Sequence, residues 1–290
     1  MTMLVTGATG HVGRRVAELL AHRGAPLRLL ARDPKRAPRL DGAEVVGADY
    51  ADPAGLREAC AGVSTAFAVS VSGPPGERAS LHANVFAAAA SAGVEHVVYL
   101  SLQGASPSSR SPVARDHHAS EEALAATGMR FTVLRGNLYL DLVPEMVGLD
   151  GVLRAPAGEG AAAFVAREDV ARAVAAAMAA EPTSDRALDV TGPEALSLRQ
   201  VVERVATLTG LDLTYEDEPL DKARAWRSDL VEPDWQVEAC LGSYLALAAG
   251  ELERPSDTVR RLTGREPLDL EAFVREHPQA FARLRPDSAG

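Results

Sequence analysis

Along the first half of the chain, short apolar runs alternate with stretches in which apolar residues return every third or fourth position. Runs such as "MLVT", "LRLLA" and "HVVYLS" are nearly continuous, which suits strands covered on both faces, while the 3.6-residue period between them suits amphipathic helices. The pattern predicts strands at residues 3–6, 27–31, 44–46, 65–70, 96–101 and 131–134, and helices over 11–23, 53–61, 77–92 and 113–127. Strands joined by crossover helices pair in parallel, so the fold class is α/β, a doubly wound parallel sheet. After Arg135 the alternation stops. A glycine-rich turn, a short strand near Phe164, a helix opened by the acids Glu168 and Asp169, and a strand in "RALDVTG" follow. From "SLRQVVERVATLTG" the chain reads as mostly helical, ending in a helix over 269–276 and a polar tail, "RPDSAG", expected to be disordered. Residues 1–136, rejoined by 165–190, are expected to form the core. Residues 137–164 and 191–290 are expected to form a small, mostly helical C-terminal cap on the substrate side of the sheet.

Composition narrows the function classes. A chain of 290 residues with 47% hydrophobic content can bury a full core. Cys60 and Cys240 have no CxxC or Cys/His spacing around them, so neither a disulfide framework nor a metal site is expected, and a reducing cytoplasm fits. No stretch approaches the roughly 20 apolar residues that span a bilayer, and no export signal is read. The formal net charge of −10 disfavours nucleic acid as a partner, leaving a small-molecule substrate and a possible homodimer.

The candidate chemistry begins at "VTGATGHVGRR", where Gly7, Gly10 and Gly13 fall between a strand and a helix. In a strand–turn–helix the first glycine permits the tight turn, the second admits a pyrophosphate and the third lets helix and strand pack closely. Gly7, Thr9, Gly10, His11, Val12 and Gly13 are the candidate contacts, with the helix N-terminal N–H groups facing the anion. The next strand ends in "ARDPKRAPR". An acid at that end accepts from the ribose of NAD, whereas Arg32, with Lys35 and Arg36 behind it, suits the 2′-phosphate of NADP. Asp33 keeps the NAD register open, and Lys35 and Arg36 equally suit a solvated loop.

Together "TGATGHVGRRV", "ARDPKRA", "GADYADPAGLREACAGV", "AAAASAGVEHVVYLSLQGAS" and "EEALAATGMRFTVLRGNLYLD" resemble the NmrA-like branch of the atypical short-chain dehydrogenase/reductases, especially its NADPH-dependent quinone oxidoreductases. The resemblance implies a Rossmann-type core and NADPH as cofactor, with Asp49 near the adenine, Tyr50 next to it among the cofactor-binding residues, and Ser70 and Val71 beside the dinucleotide. Read from the residues alone, Asp49 equally suits the cap of a turn before the helix at Pro53.

The main reductase family protonates its product with a Tyr-x-x-x-Lys pair on one helix face. The matching helix here reads "DHHASEEAL", with neither residue. His118, one turn from Glu122, is the nearest equivalent and the candidate acid, His117 less so. Ser101, at the end of its strand, either faces the nicotinamide, as the resemblance implies, or satisfies nearby backbone. Asn137 and Tyr139 are candidates for the substrate pocket, and Trp226 and Trp235 for an apolar wall over the nicotinamide or for core. The leading expectation is an NADPH-dependent oxidoreductase that passes hydride to a small electrophile such as a quinone or conjugated carbonyl. The alternative is a non-catalytic NADP(H)-binding regulator or redox sensor, which the missing Tyr and Lys favour.

Overall fold

The computed structural model describes residues 1–181, 186–230 and 233–285, so the tail beyond Arg285 lies outside the described residues. In chain order the first half forms β1 (Thr2–Thr6), α1 (His11–His22), β2 (Leu27–Ala31), β3 (Ala43–Gly47), α2 (Pro53–Cys60), β4 (Val63–Ala68), α3 (Glu77–Ser91), β5 (His96–Leu102), α4 (Pro112–Ala125) and β6 (Arg130–Gly136). The second half forms α5 (Val143–Met146), β7 (Val152–Ala155), β8 (Ala161–Ala162), α6 (Arg167–Ala179), β9 (Arg186–Val190), β10 (Leu196–Ser197), α7 (Leu198–Thr209), β11 (Thr214–Asp217), α8 (Leu220–Ser228), α9 (Asp234–Ala248), α10 (Thr258–Thr263) and α11 (Leu270–Glu276).

Seven parallel strands make one sheet in the order β3-β2-β1-β4-β5-β6-β9. β1 pairs with β2 on one side (Val5 opposite Leu29) and with β4 on the other (Val5 opposite Phe67), so the strand order reverses beside β1. Ligands of open α/β sheets bind in the crevice outside the carboxyl ends of the strands at such a reversal. Local chemistry sets the crossovers. In α1 the apolar residues Val12, Val16, Ala17 and Leu20 share one buried face. α2 and α4 each start on a side-chain cap, Asp52 and Ser111, followed by proline at the first helical position.

α1 and α6 bury one face of the sheet around Val5, Phe67, Val98 and Leu134, and α2, α3 and α4 bury the other around Leu4, Ala66, Val97 and Tyr99. A third core gathers Leu140, Leu153, Phe164, Val201, Leu247 and Phe273. This region is less purely helical than its sequence suggests. β7 pairs with β11 in parallel and β8 pairs with β10 antiparallel, and the expected strand near Phe164 is the two-residue β8 just before it. Strands of two to four residues are too short to show a period of two, which is why the sequence hides them.

Candidate active site

A cleft of about 790 Å³ runs along the carboxyl edge of the sheet, from Arg32 after β2, across the β1–α1 turn, to Tyr139 after β6. Gly7 has φ +60°, and a Cβ on Gly13 would stand 2.3 Å from the Gly7 carbonyl oxygen, so the turn and its helix close only with glycine at both positions. Gly10 differs. A Cβ there would meet only the Gly7 oxygen, at 3.4 Å, so the face of Gly10 is open to a ligand beside the N-terminus of α1. Below the turn, Tyr50 donates to the Val69 carbonyl (3.0 Å), the Val69 N–H donates to Thr6 Oγ1 (3.0 Å), and Thr6 Oγ1 lies 2.6 Å from the Tyr50 hydroxyl. This closed ring ties the ends of β1, β3 and β4 together, so Tyr50 holds up the cleft wall it lines.

At the β2 end, the Arg32 side chain is 85% exposed, lines the cleft and stands 4.0 Å from the Asp49 carboxylate. Asp33 instead accepts from the Lys35 N–H at 3.1 Å, caps a short 3-10 turn and is not among the residues that line the cleft. Lys35 lines a separate recess on the outer surface. Asp49 lines the cleft while also accepting from the Ala51 N–H, and Asp52 is the cap of α2. The ordinary turn role and the ligand-facing position coincide at Asp49.

Past β4, Ser70 and Val71 line the cleft, and both backbone groups of Val71 are held from behind. The Val71 N–H donates to His82 Nε2 (3.2 Å) and its carbonyl accepts from Arg78 Nε (2.8 Å). Arg78 in turn pairs with buried Asp116 of α4. That one fixed donor sets a whole chain of protons. His82 Nε2 accepts, so its proton is on Nδ1, which faces Ser120 Oγ (2.9 Å) and the Tyr99 hydroxyl (3.0 Å). Ser120 donates to the Asp116 carbonyl. The Tyr99 proton is therefore directed to His117 Nδ1, 2.7 Å away. His117 carries its own proton on Nε2, a nitrogen without a hydrogen-bond partner among the described residues, and its ring lines the cleft. Burial pulls the His82 pKa down to about 3, with Arg78 adding to the effect. Burial, then His82 and Arg78, hold His117 well below its usual value. Both rings are neutral at neutral pH.

Ser101 lines the cleft and donates to Glu121 Oε1 at 2.6 Å, while Arg135 grips the same carboxylate through both its oxygens. The serine proton is thus committed, and its oxygen is left to accept. Asn137 also lines the cleft, with both of its amide N–H groups committed. Its amide donates to Gln103 Oε1 and to the Leu252 carbonyl (2.8 Å), and its Oδ1 accepts from the Leu138 N–H (2.6 Å). Tyr139 lines the cleft under the guanidinium of Arg167, 5.2 Å from its ring centre, and burial pushes its pKa up to about 12.

His118 lies outside the cleft lining, 3.6 Å from the Glu122 carboxylate on the outer side of α4. Trp226 donates to Glu218 and borders another recess, and Trp235 is also away from the cleft. His117, Tyr99 and Arg167 are the functional candidates that residue types alone ranked low or missed. Helical spacing held the signal for His117: Ala114, His117, Ser120 and Leu124 form the buried face of α4, and His118 falls beside it.

A glycine turn at the strand-order reversal, an open helix N-terminus and an arginine at the end of β2 define a dinucleotide-binding protein. The comparisons place it further. Residues 7–181 match the NAD(P)H-binding family, and the chain belongs to that family. It is 35% identical over 287 residues to the (4-alkanoyl-5-oxo-2,5-dihydrofuran-3-yl)methyl phosphate reductase of Streptomyces griseus, covering 97% of this chain and 99% of the relative. The NADPH complex of an NADPH-dependent quinone oxidoreductase from Escherichia coli superposes with TM-score 0.86 at 29% identity, over 95% of this chain and 99% of that one. The NADP(H) complex of the triphenylmethane reductase of Citrobacter gives TM-score 0.84 at 26% identity, over 95% and 99%.

Proposed function

We propose that the protein is an NADPH-dependent oxidoreductase that reduces a conjugated acceptor, a quinone or an enone, in the part of the cleft between Ser101, His117 and Tyr139. The carrying observation is the neutral His117, whose free Nε2–H is fixed by the Tyr99–His82–Val71 chain on the wall of the same cleft that holds the glycine turn. The glycine turn suits the pyrophosphate of NADPH, Arg32 its 2′-phosphate, and Ser70, Val71 and Ser101 the wall beside the nicotinamide. NADPH supplies a hydride when bound; the chain supplies position and one hydrogen bond. The names of the relatives agree with this reading, since reductases of a quinone, of triphenylmethane dyes and of an oxo-dihydrofuranyl methyl phosphate are among them.

The donor also decides the acceptor. Hydride addition to an isolated ketone builds an alkoxide about as basic as hydroxide, near pKa 15.7, whereas a quinone gives a phenolate, near pKa 10. The difference of about six units is worth roughly 8 kcal/mol. His117 does not offset that with a proton. Passing its Nε2 proton forward and refilling Nδ1 from Tyr99 would leave a buried tyrosinate, and burial already pushes the Tyr99 phenol far above its usual value. It therefore stabilises the developing anion as a neutral hydrogen-bond donor, and water protonates the released product.

The test is NADPH oxidation with a naphthoquinone and with cyclohexanone. The quinone is expected to turn over and the ketone not. His117→Phe is expected to lower quinone kcat/KM by about 100- to 1,000-fold, the scale of one lost oxyanion donor. His118→Ala should have little effect. Reduction of cyclohexanone abolished by the His118 change would overturn the acceptor assignment, and tight NADPH binding with no turnover of any acceptor would favour the regulator.

A further inference from the structure

The cleft wall holds two guanidinium groups, at opposite ends. Arg32 follows β2 and Arg167 stands over Tyr139 beyond β6, and β2 and β6 are four strand spacings apart, about 19 Å. One 2′-phosphate cannot serve both. Arg167 is the first residue of α6, a helix whose other charged groups are already engaged. Glu168 pairs with Arg15 and Arg172, and Asp169 accepts from the Leu268 N–H and pairs with Arg172. Asp141 accepts from the backbone N–H of Arg167 and forms no ion pair with its guanidinium. Among the described residues that guanidinium has no ion pair and no side-chain hydrogen bond. It rests on the Tyr139 ring, whose hydroxyl also has no hydrogen-bond partner there. A half-buried guanidinium beside an unused phenol is a receptor for an oxyanion, because the planar fork matches carboxylate and phosphate oxygens. α6 packs beside α1 and its Glu168 pairs with Arg15, so Arg167, at the N-terminus of α6, opens on the same edge of the sheet as the glycine turn. The same cleft wall carries the apolar side chains of Leu100, Leu138 and Leu142.

We infer that Arg167 and Tyr139 bind an anionic substituent, a phosphate monoester or a carboxylate, carried by the acceptor itself, so that the natural substrate is an amphiphilic conjugated carbonyl with a negative tail. This rests on the reductase reading above and adds the substrate class to it. The conjugated ring would lie against the leucines with its oxygen toward His117, and the anion would reach the β6 end.

The experiment uses matched acceptors with NADPH: 2-hydroxymethyl-1,4-naphthoquinone against its phosphate monoester, and a naphthoquinone propionate against its methyl ester. The charged member of each pair is expected to show kcat/KM about 10- to 100-fold above its neutral partner, a gap that narrows at high salt. The two arms separate phosphate from carboxylate. Arg167→Met should reduce the preference to within about threefold, and Arg167→Lys, which keeps the charge without the fork, should retain part of it. No preference in the unmodified protein would overturn the inference. So would a rise in the NADPH dissociation constant of Arg167→Met that matches the lost preference, because the guanidinium would then belong to the cofactor. If no acceptor in either pair is reduced, the reductase reading fails separately. Calorimetric binding of the phosphate monoester and of the hydroxymethyl quinone to the NADP-loaded protein then decides the Arg167 site directly, an equal affinity for the two again overturning it.

Discussion

Gly10 and Gly13 lie in one turn, three residues apart, yet their side-chain hydrogens face opposite worlds. A methyl on Gly13 would collide with backbone at 2.3 Å, whereas one on Gly10 would reach only the Gly7 oxygen at 3.4 Å and otherwise point where a pyrophosphate is expected. Gly13→Ala should therefore lower Tm by several degrees, and Gly10→Ala should keep Tm while weakening NADPH. Thermal melts with and without NADPH separate the two, and equal destabilisation would show that Gly10 is also a packing residue. Arg32 acts by charge rather than by packing, since its side chain is almost fully in water. Arg32→Glu should raise the NADPH dissociation constant by about tenfold or more with little change for NADH, as expected for a lost charge-assisted contact to phosphate. Calorimetric titration of both nucleotides gives the ratio, and an unchanged ratio would remove Arg32 from cofactor selection.

Among elements, the decisive connection is between β6 and the segment that follows α9. Asn137 and Gln103 hold the carbonyls of Leu252 and Arg254, Ala163 donates to the Leu252 carbonyl, and Ser256 bonds to the Asp189 carbonyl and to Thr191. This latch fastens the segment after α9 to the ends of β6 and β9. Asn137→Ala would strand several buried polar groups at once and should cost about 1–3 kcal/mol. Urea denaturation measures the loss, and limited proteolysis should show cleavage after residue 248 before cleavage in the sheet. A stability equal to the unmodified protein would mean that water replaces the amide and that the latch is held elsewhere. The sequence offered Asn137 and Tyr139 as a pair, and both line the cleft, but the Asn137 amide N–H groups are engaged by partners 34 and 115 residues away, while the Tyr139 hydroxyl has no hydrogen-bond partner among the described residues.

At the scale of the whole molecule, the two buried histidines make stability depend on pH. His82 and His117 are neutral in the fold and protonate near pH 6.5 once unfolded, so below about pH 6.5 the unfolded chain binds the additional protons. Their contribution is complete above that pH and declines on acidification, by up to about 1.4 kcal/mol per pH unit for each ring, until the folded pKa is approached. Urea midpoints should be level from about pH 8.5 to 7.5 and fall clearly by about pH 5.5. A constant midpoint down to pH 5.5 would mean that the rings accept protons inside the fold. What the sequence determined by itself is the α/β rhythm, the glycine turn and the arginine after β2, because each is written within a few consecutive residues: a period, a spacing, a strand end. Only the tertiary structure decided that Asp33 caps a turn, that His117 rather than His118 faces the cleft, that the Asn137 amide is engaged, and that Arg167 has no ion pair among the described residues. These outcomes depend on which groups remain without partners after strands and helices distant in the chain have packed, and a hydrogen bond across 18 to 115 residues leaves no local pattern to read.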